Sequence, residues 1–214
     1  MSSTRLPGKV LMDVGGEPML AFQLRRLALA STVERTVVAT SDRPDDDQIE
    51  RVAREAGAGA HRGPLEDVLT RVAGAAEGHD GEIVRLTADC PLTDPALVDE
   101  VVELHRSAAV AYASNVEPRT FPDGLDVEVV SAAALREAAE TVEDPLDREH
   151  VTTAIRRDPD HFPAAHVVHD PDLGDLRWTV DTEDDLEFVR TIVKRLGDRR
   201  YTAGMAEILE AVGG

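Results

Sequence analysis

Short branched or apolar runs alternate along this chain with segments whose apolar residues recur every three to four positions. Thr36–Thr40 (TVVAT), Glu82–Ala88 (EIVRLTA) and Val110–Ser114 (VAYAS) read as strands, since branched side chains suit a pleated, packed surface. Helical patterns separate them. Met19–Ala30 sets Leu20, Leu24, Leu27 and Leu29 largely on one side and Arg25 and Arg26 on the other. Asp45-Asp46-Asp47 opens a helix reaching Ala56, and its acids complement the helix dipole. Pro64–Ala76 and Ala96–Ser107 follow, with Ala60–Gly63 as a small strand or loop before them. Consecutive strands joined through helices require crossovers, so this rhythm predicts an α/β fold with a largely parallel sheet and helices on both faces.

The second half is less regular. Leu125–Val130 alternates, with Asp126 and Glu128 on one side, which predicts a mixed sheet or an edge with one face partly wet. Helices are expected at Ala132–Glu140 and Arg148–Arg157, and short strands at His166–His169 and Leu176–Val180. Thr182 and Asp185 stand at capping-box spacing before a helix running to Leu196, and a last helix spans Thr202–Val212. There is no internal repeat and no linker, so residues 1–214 read as a single domain.

The formal net charge of −19 argues against wrapping nucleic acid and against an anionic membrane surface. No stretch is long and apolar enough to span a bilayer, and there is no secretory leader, so a cytoplasmic protein is expected. One cysteine, Cys90, allows no disulfide within the chain. With aromatics at 3%, the core must be built from Ala, Val, Leu and Ile.

Chemistry gathers in three places. The opening Ser2-Ser3-Thr4-Arg5-Leu6-Pro7-Gly8-Lys9 is polar and punctuated by Pro-Gly, hence a loop. Nearly every cation in the chain is arginine, and only Lys9 and Lys194 are lysines. A compact ammonium suits a single phosphate oxygen, and with Arg5, the hydroxyls around Ser3 and backbone donors it could cradle a polyphosphate. Two strands end in aspartate: Arg85–Asp89 and Arg177–Asp181. Ligands of open α/β sheets bind off the carboxyl ends of strands, and two carboxylates there can hold a hard divalent ion. Each aspartate alone reads equally as loop or N-cap chemistry. Secondary candidates are Thr40-Ser41-Asp42 after a strand and Arg62, both able to meet a nucleotide. Asp123, Asp126 and Glu128 could hold sugar hydroxyls, and His150 could contact a substrate. Cys90 has no apparent base beside it and reads as packing.

Taken in order, Ser-Thr-Arg-Leu-Pro-Gly-Lys at 3–9, Thr-Ala-Asp-Cys-Pro-Leu at 87–92, Phe-Pro-Asp-Gly-Leu-Asp-Val-Glu at 121–128, Arg-Glu-His-Val-Thr at 148–152 and Thr-Val-Asp-Thr-Glu-Asp-Asp-Leu at 179–186 resemble the cytidylyltransferase family. The spore coat polysaccharide biosynthesis protein F type matches best, with the acylneuraminate and 3-deoxy-manno-octulosonate enzymes more distant. The resemblance implies a Rossmann-like nucleotidyltransferase of the glycosyltransferase-A type, a three-layer sandwich with a mixed, mostly parallel sheet. It implies a triphosphate loop at Arg5 and Lys9, Mg2+ on Asp89 and Asp181, and transfer of CMP from CTP to an acidic sugar or related acceptor, with pyrophosphate released. Ser3, Thr40 and Arg62 complete the expected nucleotide contacts, and a homodimer is the assembly that relatives suggest. Another nucleotide-sugar enzyme of the same fold, or a non-catalytic relative, is the alternative. One departure stands out. The family's first hydrophobic strand, which precedes this loop, has no counterpart here, so the expectation is a sheet lacking that strand and a native start roughly ten residues upstream.

Overall fold

The computed structural model describes residues 5–213. After a short 3-10 turn at Lys9–Leu11, β1 (Asp13–Val14) and β2 (Glu17–Pro18) form a small antiparallel hairpin around Gly15-Gly16. Then come α1 (Met19–Leu27), β3 (Val37–Ser41), α2 (Asp47–Glu55), β4 (Gly59–Gly63), α3 (Val68–Ala75), β5 (Glu82–Arg85), α4 (Pro95–Ala108), β6 (Tyr112–Ser114) and β7 (Glu128–Ser131). The chain continues through α5 (Ala132–Thr141), α6 (Pro145–His150), α7 (Thr153–Arg157), β8 (Ala164–His166), α8 (Glu183–Leu196) and α9 (Met205–Gly213).

β3 and β4 pair in parallel, Val37 opposite Gly59 and Ser41 opposite Gly63. A second, mixed sheet has the order β5-β7-β6-β8, in which β7 runs antiparallel to both neighbours and β6 pairs in parallel with β8. Among the described residues, β3 pairs only with β4 and β5 only with β7. Among the described residues these strands therefore fall into two separate sets. Both sets abut one helical layer: Val38 of β3 and Ala88 just beyond β5 pack against the cluster of Leu20, Leu24, Ile49 and Val52.

The mixed sheet has helices on both faces. Along β7, Val129 joins the cluster containing Leu97, Val101, Leu186 and Val189 from α4 and α8. Its neighbour Val130 joins Leu69, Leu135 and Ile155 from α3, α5 and α7. Successive strand residues point to opposite faces, so this alternation builds the middle of a three-layer sandwich.

Four expectations need correction. Arg26 does not face water: it is fully buried on α1. The segment 148–157 is two short helices, not one, broken at Val151, whose φ of 62° is strained for a branched residue. Its side chain is fully buried with Leu69 and Ile155, and that burial offsets the strain. The strand expected at 166–169 lies at Ala164–His166, because its register is set by pairing with β6, while Val168 is exposed. The segment 176–180 makes one isolated bridge, Asp123 with Arg177, in place of a strand. It still runs extended beside the Phe121–Gly124 turn, with Trp178 N donating to Asp123 O at 2.6 Å. Gly124 allows that approach: its φ is +114°, and a Cβ there would lie 2.7 Å from the Trp178 carbonyl carbon.

Candidate active site

Lys9, Asp89 and Asp181 meet. Lys9 enters from the 3-10 turn, behind Gly8 at a left-handed φ of 73°. Asp89 lies on the turn after β5. Asp181 directly precedes the N-cap of α8. There Thr182 accepts from Asp185 N while Asp185 Oδ2 accepts from the backbone N–H of both Asp181 and Thr182, so the predicted capping box forms. The two aspartate segments are stitched together by Val180 N donating to Asp89 O at 2.8 Å.

The Lys9 ammonium donates to Asp89 Oδ2 at 3.2 Å, Asp181 Oδ1 at 2.9 Å and the Val180 carbonyl at 2.7 Å. One cation thus stands where two carboxylates and a carbonyl converge. Arg5 reaches Asp181 Oδ2 at 3.1 Å from a largely exposed position. Arg177 reaches the same oxygen at 2.6 Å and Asp185 at 2.5 Å. Burial pushes the Asp181 carboxyl up, but Lys9, then Arg5 and Arg177, bring it below the ordinary carboxylate value. The positive end of α8 works in the same direction.

The donor set fits a hard divalent ion. Its oxygens already converge on a cation, and magnesium is usually held by one or two carboxylates plus phosphates and water. Among the described residues no group of three or more His, Cys, Asp or Glu could form a cage of protein ligands alone.

Beside this centre lies a second acidic group. Arg119 holds Asp126 through two 2.8 Å bonds and approaches Asp123 at 3.6 Å. Burial raises the Asp123 carboxyl above its ordinary value, and the nearby Asp126 and Asp89 charges add to that against Arg119. Glu128 departs from the sugar-binding expectation: it is buried and accepts from Tyr112 Oη at 2.7 Å and Thr152 Oγ1 at 2.5 Å, with Arg85 on its other oxygen. Cys90 is buried, and burial together with Asp89 holds its thiol well above the usual range.

The remaining expected nucleotide contacts sit at the ends of β3 and β4. Thr40 Oγ1 donates to Asp46. Arg62 donates to the carbonyls of Ser41 and Arg43 and to Asp47 and Glu50. Ser3 lies outside the described residues. Sequence reasoning gives no site role to Arg177, although Arg177, Asp181 and Asp185 recur at four-residue spacing. It also misses Gln23, a polar residue within the apolar pattern of α1.

The model of the family described as cytidylyltransferase matches residues 1–197. The chain is 32% identical over 209 residues to the spore coat polysaccharide biosynthesis protein SpsF of Bacillus subtilis, spanning 93% of this chain and 85% of that protein. Similarity to the 3-deoxy-manno-octulosonate cytidylyltransferase of Trichlorobacter lovleyi is 38% over 102 residues, 47% of this chain and 40% of that enzyme. A solved cytidylyltransferase from Leptospira borgpetersenii superposes with a TM-score of 0.93 at 29% identity, covering all of this chain and 90% of that one. CMP:2-keto-3-deoxy-manno-octonic acid synthetase in complex with CTP shares the fold, with a TM-score of 0.67 at 19% identity over 90% of this chain and 94% of that one. With the opening lysine and the two strand-end aspartates brought to one point on a three-layer α/β frame, and with the family match running from residue 1 to 197, this chain belongs to the cytidylyltransferase family.

Proposed function

We propose that this protein transfers CMP from CTP to an acidic sugar or a related acceptor, releasing pyrophosphate, in the synthesis of a surface polysaccharide. The observation that carries this is the convergence of Lys9 with Asp89 and Asp181, residues 80 and 172 positions away along the chain. Arg5 and Lys9 would bind the triphosphate and stabilise the departing pyrophosphate. Asp89 and Asp181 would hold magnesium, which when bound neutralises phosphoryl charge. Thr40, Arg62 and Ser3 are assigned to the nucleotide side. Asp123 and Asp126 are assigned to the acceptor side, where their pairing with Arg119 and Arg177 leaves both carboxylate and guanidinium groups for a sugar acid. The acceptor hydroxyl attacks the α-phosphorus in line, and positioning and charge do the work without a covalent enzyme intermediate.

The test is pyrophosphate release from each of the four nucleoside triphosphates, with and without magnesium, against a panel of acidic sugars. Release selective for CTP and dependent on both magnesium and acceptor supports the reading. Nucleotide binding without turnover on any acceptor refutes it. Among the described residues no helix is long and apolar enough to cross a membrane. The proposed compartment is the cytoplasm and the proposed assembly a homodimer.

A further inference from the structure

We propose that Gln23 is a positioning residue for Asp89, its side-chain amide fixing the turn that carries this carboxylate. The inference rests on the magnesium reading above. Gln23 lies on α1 among Leu20, Leu24 and Leu27 and is only 5% exposed. A buried amide is costly unless it is paired. Its Nε2 donates to the Thr87 carbonyl at 2.9 Å, the Cys90 carbonyl at 3.0 Å and Thr93 Oγ1 at 3.2 Å. The two carbonyls bracket Asp89 in sequence, and Thr93 Oγ1 itself donates to Cys90 O at 2.8 Å. One helical turn further on, buried Arg26 donates to Thr93 O at 2.9 Å and Leu92 O at 3.3 Å.

The turn is not a ladder strand: its own backbone bonds, Cys90 N to Thr87 O and Thr93 N to Cys90 O, are long at 3.3 Å, and the side-chain donors supplement them. An apolar residue at position 23 would fill the space but remove the shorter side-chain donors, leaving the Thr87 carbonyl with only the 3.3 Å bond from Cys90 N and the Cys90 carbonyl with Thr93 alone. The consequence reaches the carboxylate directly. Cys90 Sγ donates to Asp89 Oδ1 at 3.6 Å, and the Asp89 carbonyl receives Val180 N from the segment bearing Asp181. A turn that relaxes therefore shifts one carboxylate relative to the other, which two-point metal binding reads more sharply than nucleotide binding does.

The test is Gln23→Leu, which keeps bulk and removes the donors. Binding of manganese is measured by electron paramagnetic resonance with an uncleavable CTP analogue present, beside magnesium activation of pyrophosphate release. The metal dissociation and activation constants should rise about tenfold, the scale of lost outer-shell support, while the KM for CTP stays within about twofold. Leu135→Ala on α5, a core change in the cluster on the other face, should lower thermal stability and leave the metal constants alone. Thr93→Val, a milder change to the same clamp, should raise them by about two- to threefold even if Gln23→Leu fails to fold. Wild-type metal affinity in folded Gln23→Leu or in Thr93→Val overturns the proposal, as does an equal shift in Leu135→Ala. A wild-type protein that binds no manganese and turns over equally without divalent ions overturns the magnesium reading itself, and this inference with it.

Discussion

Asp181 and Asp89 lie at corresponding ends of two adjacent segments, and the chain supports them differently. Asp181 meets three cations, Arg5, Lys9 and Arg177, and its backbone is tied to the capping box of α8. Asp89 meets Lys9 alone among the cations described around it, is 30% exposed at its side chain, and rides on a turn held from below by Gln23. Charge and a helix end hold the first; backbone carbonyls pinned by a buried amide hold the second. Asp181 is thus held by three cations and anchored at a helix end, while the position of Asp89 depends on the turn beneath it. A carboxylate pair of this kind places its rigidity on one member and its adjustability on the other.

The sharpest way to break this comparison is to remove each carboxylate in turn. Asp181→Asn should lower turnover by about a thousandfold or more, since a metal site that stabilises phosphoryl charge is worth several kcal/mol. Its melting temperature should fall, because Lys9 and Asp181 are only 12% and 19% exposed and the substitution leaves three cations less compensated. Steady-state turnover and a melting curve check both. Asp89→Asn should also abolish most activity, but with stability unchanged, because it leaves fewer cations uncompensated. Substantial residual turnover in Asp181→Asn would remove it from the metal role. Equal destabilisation of the two variants would erase the asymmetry.

Much of this pair is legible in the order of residues alone. Lys9 stands out in a chain that uses arginine for almost all its cations, and Asp89 and Asp181 each close an apolar run. The supports are less legible, for a physical reason. Amphipathic spacing assigns a charged residue to water, so Arg26 reads as surface. In the fold it is buried, with its guanidinium on the carbonyls of Leu92 and Ala203, residues 66 and 177 positions away. Burial brings its pKa down to about 10 against the nearby Asp94 and Glu207, which leaves it a cation at neutral pH. No local pattern encodes a partner so distant. The segment 176–180 reads as a strand and is not one for a related reason: its hydrogen bonds go to Asp123 and Asp89 in turns rather than to a ladder. Glu128 reads as wet because it shares the alternating phase of Asp126, yet Tyr112, Thr152 and Arg85 all converge on it.

Arg177 sharpens the comparison from the anchored side. It links Asp181, Asp185 and, at 3.8 Å, Asp123, so it couples the carboxylate proposed for the metal to the acid proposed for the acceptor. Arg177→Lys retains charge and loses the fork that spans these groups. We expect turnover to fall about tenfold, in line with loss of an outer-shell partner, while the KM for CTP changes less than the KM for the acceptor. Initial-rate kinetics with both substrates varied would show it. A fall confined to the KM for CTP would place Arg177 on the triphosphate instead.

The smallest effect comes from a carboxylate at the same sheet edge that serves stability alone. Glu128 is buried, and burial raises its carboxyl, but the Arg85 charge and the hydrogen bonds of Thr152 and Tyr112 outweigh it and leave the group below its ordinary 4.5. A carboxylate depressed in the fold contributes stability that is present in full above its unfolded value. The unfolded chain takes up the proton first as pH falls, so that contribution fades below 4.5 and is gone once the folded value is passed. Glu128→Gln should therefore cost about 2 kcal/mol near neutrality, the scale of hydrogen bonds to a charged group, and should flatten the acid limb of the stability curve. Urea unfolding across the acid range measures both. Unlike Asp89 and Asp181, which the proposal assigns to a metal ion, Glu128 has its oxygens committed to Tyr112, Thr152 and Arg85. Metal affinity in Glu128→Gln should accordingly match the wild type. If it does not, the distinction between carboxylates that bind and one that braces fails at its simplest point.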